Sequence, residues 1–141
     1  MQKFSRYLAF IVVALFVLTA CSVGKAPPQV VISPTEFDFG DIGPQAVTTT
    51  FVVSNLGGRL LKVESLTTSC GCTTAEISAQ TIAPGDSATL TVNFDPQVHA
   101  GATGQFLRYI FLNTNDPENP ELQVQIVANV VANPASQEVT Q

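Results

Sequence analysis

The sequence contains no tryptophan, one methionine and one histidine among its 141 residues, and only 12% of the residues are charged. Acidic residues outnumber basic ones by 11 to 6, which gives a net charge of -5. We therefore expect no nucleic acid partner, because affinity for phosphates comes from clustered Lys and Arg side chains. His99 is the only candidate base and no serine lies in a nucleophile elbow, so we also expect no hydrolase triad and no catalytic residues.

Helical periodicity is also missing, since no window of helical length repeats apolar residues at intervals of three and four. Apolar and polar residues alternate instead, as where Leu90, Val92 and Phe94 interleave with polar neighbours. Such alternation predicts strands with one buried face. We predict seven strands, at Val30 to Phe39, Val47 to Asn55, Leu60 to Leu66, Thr74 to Ile82, Ala88 to Phe94, Gly104 to Asn113 and Leu122 to Val131.

The residues between and within these strands indicate how they are arranged. Pro84 and Gly85 suit the central pair of a type II turn. Pro34 predicts that the first strand lies at an edge, because proline has no N–H for a ladder bond. The stretch Phe106 to Leu112 is apolar except for Arg108, which predicts a central strand covered on both faces. Seven short strands over about 100 residues are typical of an immunoglobulin-like β-sandwich.

No apolar run is long enough to span a bilayer, which takes about 20 residues. The run from Ala9 to Leu18 is shorter and follows Lys3 and Arg6, which is the layout of a secretory signal. The residues Leu18 to Cys21 resemble the bacterial lipobox, in which the cysteine thiol receives a diacylglycerol. We therefore predict cleavage before Cys21 and lipid on its thiol; the alternative is an ordinary cleavable signal in which this cysteine is coincidental.

The signal divides the chain into four parts. We predict a lipoprotein signal peptide at residues 1–20, a lipid-anchored linker at 21–28, the sandwich at 29–132 and a polar tail at 133–141. Cleavage removes two basic residues, so the mature net charge is 4 minus 11, or -7. Such a surface does not attract an anionic bilayer, so membrane attachment is expected through the lipid on Cys21. We expect the body to face the periplasm or the exterior and to meet a protein partner in the cell envelope.

Lipid on Cys21 leaves Cys70 and Cys72 with no other intramolecular partner. They flank Gly71, which can take positive φ and bring both sulfur atoms to one side of a sharp turn. Three chemistries stay open for the pair. It is a structural disulfide in an oxidising compartment, a reducible disulfide that exchanges electrons with a partner thiol, or a pair of thiolates that binds a soft metal such as Cu(I).

His99 is the candidate third ligand for such a metal. If strand directions alternate, the turn that holds Cys70 and Cys72 lies at the same end of the sandwich as His99 and Asp41, opposite the lipid, and we expect these four residues to be neighbours. A lone histidine in a Gly-containing loop is also commonly a solvated residue. Two cysteines and one histidine are too few ligands for a complete zinc site. Apart from Cu(I), we predict no cofactor.

Short motifs follow one another in a specific order along the body of the chain: Phe37 to Gly40, Asn55 with Gly57, Ser69 to Thr73, Ile82 to Gly85, Asn93 to Pro96 and Thr114 to Asp116. Together they resemble domain-of-unknown-function family 1573 over roughly residues 35–116. The resemblance implies a sandwich similar to the immunoglobulin-like domains of the abnormal-spindle and hydin type, which act as binding modules in assemblies. It implies no activity and assigns only Cys70 and Cys72, as the signature pair. His99 lies in a loop, 97–104, that departs from the family pattern.

These observations predict a membrane-tethered, non-enzymatic protein-binding module of the cell envelope. The alternative is a thiol redox or Cu(I)-handling protein that uses Cys70 and Cys72.

Overall fold

A computed structural model describes residues 25–132 of the chain. The predicted signal peptide, Cys21 and the predicted polar tail lie outside the described residues. Between Lys25 and Ala132, no helix is long and apolar enough to cross a bilayer. The strands are β1 (Val30–Ser33), β2 (Glu36–Ile42), β3 (Val47–Asn55), β4 (Leu61–Thr68), β5 (Thr73–Ile77), β6 (Thr81–Ile82), β7 (Ser87–Phe94), β8 (Gly104–Thr114) and β9 (Glu121–Val130).

The strands form two sheets that pack as a sandwich, so the predicted all-β sandwich is confirmed. The four-stranded sheet has the order β1-β3-β7-β5, and its neighbours are antiparallel. The five-stranded sheet has the order β2-β9-β8-β4-β6. In it β2 runs parallel to β9, while the other neighbours are antiparallel. The strand β8 lies inside this sheet, as the apolar stretch around Arg108 predicts, but the expectation that both of its faces are covered was wrong, because Leu107 is 43% exposed on the outer face.

The described residues hold nine strands instead of the predicted seven, because two predicted strands each change sheets partway. The chain passes Pro34 between β1 at the edge of one sheet and β2 at the edge of the other. The predicted strand Thr74 to Ile82 divides likewise into β5, which pairs with β7, and β6, which pairs with β4. The apolar positions shift by one residue at both transitions, as from Ile77 to Ile82, but such a shift does not reveal that the chain has moved to the other sheet.

The core lies between the two sheets and is filled by the apolar residues of the alternating pattern. Leu90, Val92 and Phe94 on β7 are fully buried, as predicted from their spacing. The predicted type II turn is confirmed, since Gly85 has φ +83° and Asp86 N–H donates to the Ala83 carbonyl over 3.0 Å. The other large apolar side chains of the core that are at most 1% exposed are Phe51, Val53, Leu61, Ile110, Leu112, Val124 and Ile126.

At one end of the sandwich, which we call the N-terminal end, residues 25–29 pack on the loop 55–60. Asn55 is fully buried there, and its side chain holds both segments. Its Oδ1 accepts from the N–H groups of Gln29 and Gly57 over 3.3 and 3.0 Å. Its Nδ2 donates to the carbonyls of Arg59 and Ile82 over 2.7 and 3.0 Å.

Asp116 is the second buried polar group at the N-terminal end and is 2% exposed. Its carboxylate accepts from Val30 N–H over 2.8 Å, Glu118 N–H over 2.9 Å and Asn119 N–H over 3.2 Å. Burial raises the pKa of Asp116, but these donors outweigh it, so the net pKa lies below its ordinary value. The ionised carboxylate therefore ties the start of β1 to the turn between β8 and β9.

The opposite end of the sandwich, which we call the cysteine end, comprises the turn 69–72, the 3₁₀ helix Pro96–His99 and the start of β8. The strand β3 connects the two ends, with Asn55 opposite Val30 and Val47 opposite Phe94. Its nine residues span roughly 27 Å at the rise of an antiparallel strand. The first described residues and the cysteine pair therefore lie at opposite ends of the fold.

Candidate functional site

The turn that carries the cysteine pair is held by backbone and hydroxyl groups. Thr68 Oγ1 contacts the carbonyls of Cys70 and Thr73 over 3.1 and 2.9 Å. Ser69 N–H donates to the Tyr109 carbonyl over 2.9 Å, and Tyr109 N–H donates to Ser69 Oγ over 3.0 Å. These bonds fix the turn to the neighbouring strand β8. The flanking Ser and Thr residues therefore position the cysteines.

Cys70 and Cys72 are joined as a disulfide, with their Cα atoms 5.3 Å apart. The two residues differ in exposure, because Cys72 is 2% exposed and packs in the core while Cys70 is partly exposed. Gly71 does not take the positive φ that the sequence allows, so the turn forms without left-handed backbone at this glycine. One sulfur thus faces the interior and the other is open to contact from outside.

His99 lies beside the exposed sulfur, with its Nε2 3.2 Å from Cys70 Sγ. Its position comes from the 3₁₀ helix, which Asp95 caps by accepting from Gln97 N–H over 2.9 Å. The imidazole stacks on the ring of Phe106, with the ring centroids 6.1 Å apart. One ligand atom each from Cys70, Cys72 and His99 lie within 4.8 Å of one another. The structure therefore brings together the three residues that the sequence singles out.

Asp41, predicted as a fourth neighbour, does not join this cluster. It lies on β2 at the edge of the five-stranded sheet, where its Oδ1 accepts from Asn129 Nδ2 over 2.7 Å. Three strand spacings separate β2 from β4, which amounts to about 14 Å. The expectation was wrong because strands that end at the same end of a sandwich need not be adjacent within the sheet.

Arg108 is a member of the site that the sequence reasoning missed. Its Nε donates to Cys72 Sγ over 3.1 Å, and its guanidinium carbon lies 5.0 Å from the centroid of the Phe106 ring. The cation–π contact holds the guanidinium in place over the ring. The available signal was the isolated charge in the apolar stretch Phe106 to Leu112, since a lone charged residue in a central strand needs a specific partner.

The site thus combines two sulfur atoms, one imidazole and one guanidinium around the ring of Phe106. As a disulfide, the pair presents its Cys70 sulfur beside His99 and its Cys72 sulfur beside a fixed positive charge. If reduced, the same atoms are two soft thiolate ligands and one imidazole ligand for a metal. A thiol exchange centre and a Cu(I) centre are therefore both chemically compatible with the arrangement.

Comparison with known families gives one assignment for most of the chain. The family model described as "Protein of unknown function (DUF1573)" matches residues 30–130, which include all nine strands and the cysteine pair. A search of the curated proteins gives no match. The family description names no activity, so the comparison adds no catalytic role to the residues of the site.

Solved structures with the same fold include proteins of different kinds. A protein of unknown function from Porphyromonas gingivalis has a TM-score of 0.69 and 25% identity over 77% of this chain and 50% of that one. The VesB protease of Vibrio cholerae has a TM-score of 0.61 and 18% identity over 72% of this chain and 32% of that one. The ASH/PapD-like domain 7 of human CEP192 has a TM-score of 0.58 and 11% identity over 76% of this chain and 88% of that domain.

The matched region is thus about half of the Porphyromonas gingivalis protein and about a third of VesB. The likenesses to VesB and CEP192 are below 25% identity and show the fold alone. The same sandwich occurs within a protease and within a domain of a human protein, so the fold by itself does not decide the function.

Proposed function

We propose that this chain, which belongs to the DUF1573 family of proteins of unknown function, is an exported lipoprotein that presents its cysteine end to a protein partner in the cell envelope. The opposite placement of the two ends carries this proposal. Lipid on Cys21 would place the N-terminal end at a membrane, four residues before Lys25. The cysteine end, roughly 27 Å away along β3, would then face away from the bilayer.

The surroundings of the cysteine end support a binding role. Val98 is 55% exposed on the 3₁₀ helix, and Leu107 is 43% exposed near the start of β8. These apolar side chains lie close in sequence to His99 and Arg108, so an apolar contact would have charged or polar groups beside it. That combination is common in protein interfaces. The proposed function is non-enzymatic, and the cysteine pair serves here as a rigid recognition feature.

The proposal has two parts, and each has its own test. For the anchor, bacteria that express the chain are grown with a labelled fatty acid, and the label is expected on the native protein but not on Cys21→Ala. For the partner, a photo-crosslinking amino acid replaces Val98 at the cysteine end or Leu56 at the N-terminal end, both being exposed. We expect a protein adduct from position 98 and none from position 56. Equal protein adducts from the two positions would contradict the orientation.

A second candidate function is thiol–disulfide exchange, and the Arg108 contact favours it. A partner thiolate would attack Cys70 Sγ, because Cys72 is buried. A new S–S bond forms to Cys70, the Cys70–Cys72 bond breaks, and Cys72 leaves as a thiolate. Arg108 Nε, 3.1 Å from that sulfur, would stabilise the developing negative charge.

The exchange balances with a dithiol partner. The second partner thiol attacks the partner's sulfur of the mixed disulfide and displaces Cys70 as a thiolate. The partner becomes a disulfide and this chain becomes a dithiol, so two electrons and two protons pass from the partner to Cys70 and Cys72. No metal or other cofactor takes part.

Exchange is tested with the oxidised protein and glutathione, followed by acid quenching and alkylation of free thiols. We expect glutathione on Cys70 and the alkylating group on Cys72. Arg108→Gln is expected to slow the second-order reaction about tenfold, since a hydrogen bond to a charged group contributes roughly 1.5 kcal/mol at the lower end of its range and this one is only partly buried. Arg108→Lys, which retains the charge, should be slowed less. Glutathione on Cys72, or equal rates for the three proteins, would contradict the proposed route.

The same two cysteines could instead bind Cu(I), which requires that the disulfide be reduced to two thiolates. Two thiolates and one Cu(I) carry a net charge of -1, which Arg108 would balance beside Cys72. Reduced protein should then take Cu(I) from a competing chelator, and Cys70→Ser should abolish the uptake. His99→Ala is the finer test, since unchanged affinity in that variant would remove the imidazole from the ligand set.

A further inference from the structure

Two large apolar side chains are exposed on the loop between β3 and β4 at the N-terminal end. Leu56 is 63% exposed and Leu60 is 51% exposed. Single exposed leucines are ordinary on protein surfaces and carry no argument alone. Leu56 and Leu60 differ from such isolated leucines because they lie beside the segment that leads back to Cys21.

That segment is bound tightly to the loop. Leu56 N–H donates to the Gln29 carbonyl over 2.8 Å, and Gly58 N–H donates to the Ala26 carbonyl over 3.2 Å. Gly57 lies so close to the backbone of the segment that a Cβ there would clash with the Pro27 carbonyl oxygen. The chain from residue 25 onward therefore has a fixed position beside both leucines.

The distance from this loop to the proposed lipid is short. Four residue steps separate Lys25 from Cys21, which reach at most about 14 Å. The polar headgroup layer of one leaflet is about 5–8 Å thick. With the Cys21 lipid in the bilayer, the loop is within reach of the headgroups.

The charge around Leu60 differs from that of the whole protein. Lys25 and Arg59 are exposed and line one surface together with Leu60, and they are two of the four basic residues that follow Cys21. The nearby carboxylate of Asp116 is buried and bound by backbone donors. Two carboxylates near this end are exposed, but Glu118 lines the surface on the Leu56 side of the loop, and Asp86, in the turn that follows Pro84, is not among the residues that line the Leu60 surface. The Leu60 side is thus apolar and basic on a protein that is acidic overall.

We propose that Leu60, Lys25 and Arg59 form a membrane-contact surface that lies in the anionic headgroup region of the bilayer. Anionic headgroups attract the two cations, and Leu60 loses contact with water at the boundary with the acyl chains. The contact holds the sandwich with its cysteine end pointing away from the membrane. This inference rests on the proposed lipid anchor at Cys21.

The absence of tryptophan makes a direct test practical, because a single introduced indole is the only one in the protein. Leu60→Trp and, at the opposite end, Val98→Trp replace side chains of similar exposure. The lipidated proteins are incorporated into vesicles of phosphatidylglycerol and phosphatidylcholine with brominated acyl chains. For Leu60→Trp we expect the brominated lipids to lower the tryptophan emission intensity at least twofold relative to vesicles without bromine, and the emission maximum to move to shorter wavelength. For Val98→Trp we expect neither effect. Adding Lys25→Gln and Arg59→Gln should reduce the quenching, whereas Lys62→Gln, which removes an exposed charge from β4, should not.

Flotation of the same vesicles separates the two ways in which the inference can fail. If the protein floats and the Leu60→Trp indole is no more quenched than the Val98→Trp indole, the anchor stands and the contact surface is overturned. If neither the native protein nor Leu60→Trp floats, although both are folded by circular dichroism, the anchor fails and the inference fails with it. If the quenching of Leu60→Trp is equal in pure phosphatidylcholine and in anionic vesicles, Lys25 and Arg59 do not contribute to the contact and that part of the proposal is overturned.

Discussion

The same strands run from the N-terminal end to the cysteine end, but the two ends are stabilised by different kinds of contact. At the N-terminal end, the buried side chains of Asn55 and Asp116 bond backbone groups of separate segments. At the cysteine end, the hydroxyl groups of Thr68 and Ser69, which are not buried, also bond backbone groups. The two sulfur atoms there are contacted by side chains, Cys72 by Arg108 and Cys70 by His99. Buried side-chain-to-backbone bonds fix chain segments, whereas contacts between partly exposed side chains can be exchanged for contacts with a partner. We therefore expect the N-terminal end to contribute more to stability than the cysteine end, which agrees with the partner contact proposed for the second.

If this contrast is correct, the largest loss of stability should come from Asn55→Ala. The change leaves four hydrogen-bonding backbone groups at the N-terminal end without their side-chain partner. We expect the free energy of unfolding in urea to fall by about 3 kcal/mol, the upper part of the range for unsatisfied buried groups. Asn129→Ala is the matched control near the other end, where the amide bonds only Asp41, and should cost about 1 kcal/mol or less. A larger loss for Asn129→Ala would reverse the contrast.

Asp116 provides a test that depends on pH. Because its folded pKa lies below the ordinary value of 3.8, the ionised carboxylate stabilises the fold above that value, and this contribution is lost as the pH falls through the folded pKa. Asp116→Asn should cost about 2 kcal/mol at pH 7, measured by urea unfolding. The difference from the native protein should shrink below about pH 4. Glu118→Gln changes an exposed carboxylate and should cost less than about 0.5 kcal/mol at pH 7.

If the difference between Asp116→Asn and the native protein were the same at pH 3 and at pH 7, the carboxylate charge would not be the source of the stabilisation. The bonds to Val30, Glu118 and Asn119 would then act through geometry alone.

Removing the disulfide should have a smaller effect than either change at the N-terminal end. Cys70→Ser together with Cys72→Ser opens a ring that spans a sequence separation of only two. Loop-closure entropy for so short a loop contributes about 1.5 kcal/mol. Urea unfolding of the double variant, and of the native protein with and without a reducing agent, measures this loss. A loss above about 3 kcal/mol would mean that the cysteine end also carries much of the stability.

The sequence predicts the sandwich and its core better than it predicts the neighbours of the cysteine pair. Alternation along the strands predicts the sandwich and its core, as with Leu90 and Phe94, because a side-chain period of two follows directly from strand geometry. The strand changes near Pro34 and after Ile77 are not predictable from that period, since a shift in the phase of the apolar residues does not say which sheet the chain joins next. The neighbours of Cys70 depend on lateral order within the sheets. That order brings His99 close and leaves Asp41 three strands away.

Arg108 and Asn55 are polar residues whose contacts could not be predicted from the sequence either. The sequence marks Arg108 as an isolated charge in an apolar strand, but its bond to Cys72 depends on the register between β8 and the turn after β4. Asn55 looks like a turn residue, and only the fold shows that its side chain joins four backbone groups. Local patterns predict burial, whereas partners that are distant in sequence require the topology.

The smallest effect is expected at Gly71, in the turn between the two cysteines. The sequence allows positive φ at this glycine, but Gly71 does not adopt it, and a Cβ there would meet nothing within 4 Å. Gly71→Ala should therefore leave the free energy of unfolding unchanged or raise it by about 0.5 kcal/mol, because alanine restricts the unfolded chain. Gly57→Ala is the matched change at the N-terminal end, where the added Cβ clashes with the backbone at Pro27 and Gln29. It should cost about 1–3 kcal/mol, because the segment 25–29 must move away from its loop. Equal costs for the two alanines in urea unfolding would show that the cysteine turn is as tightly constrained as the N-terminal end, and that its glycine is needed for the turn.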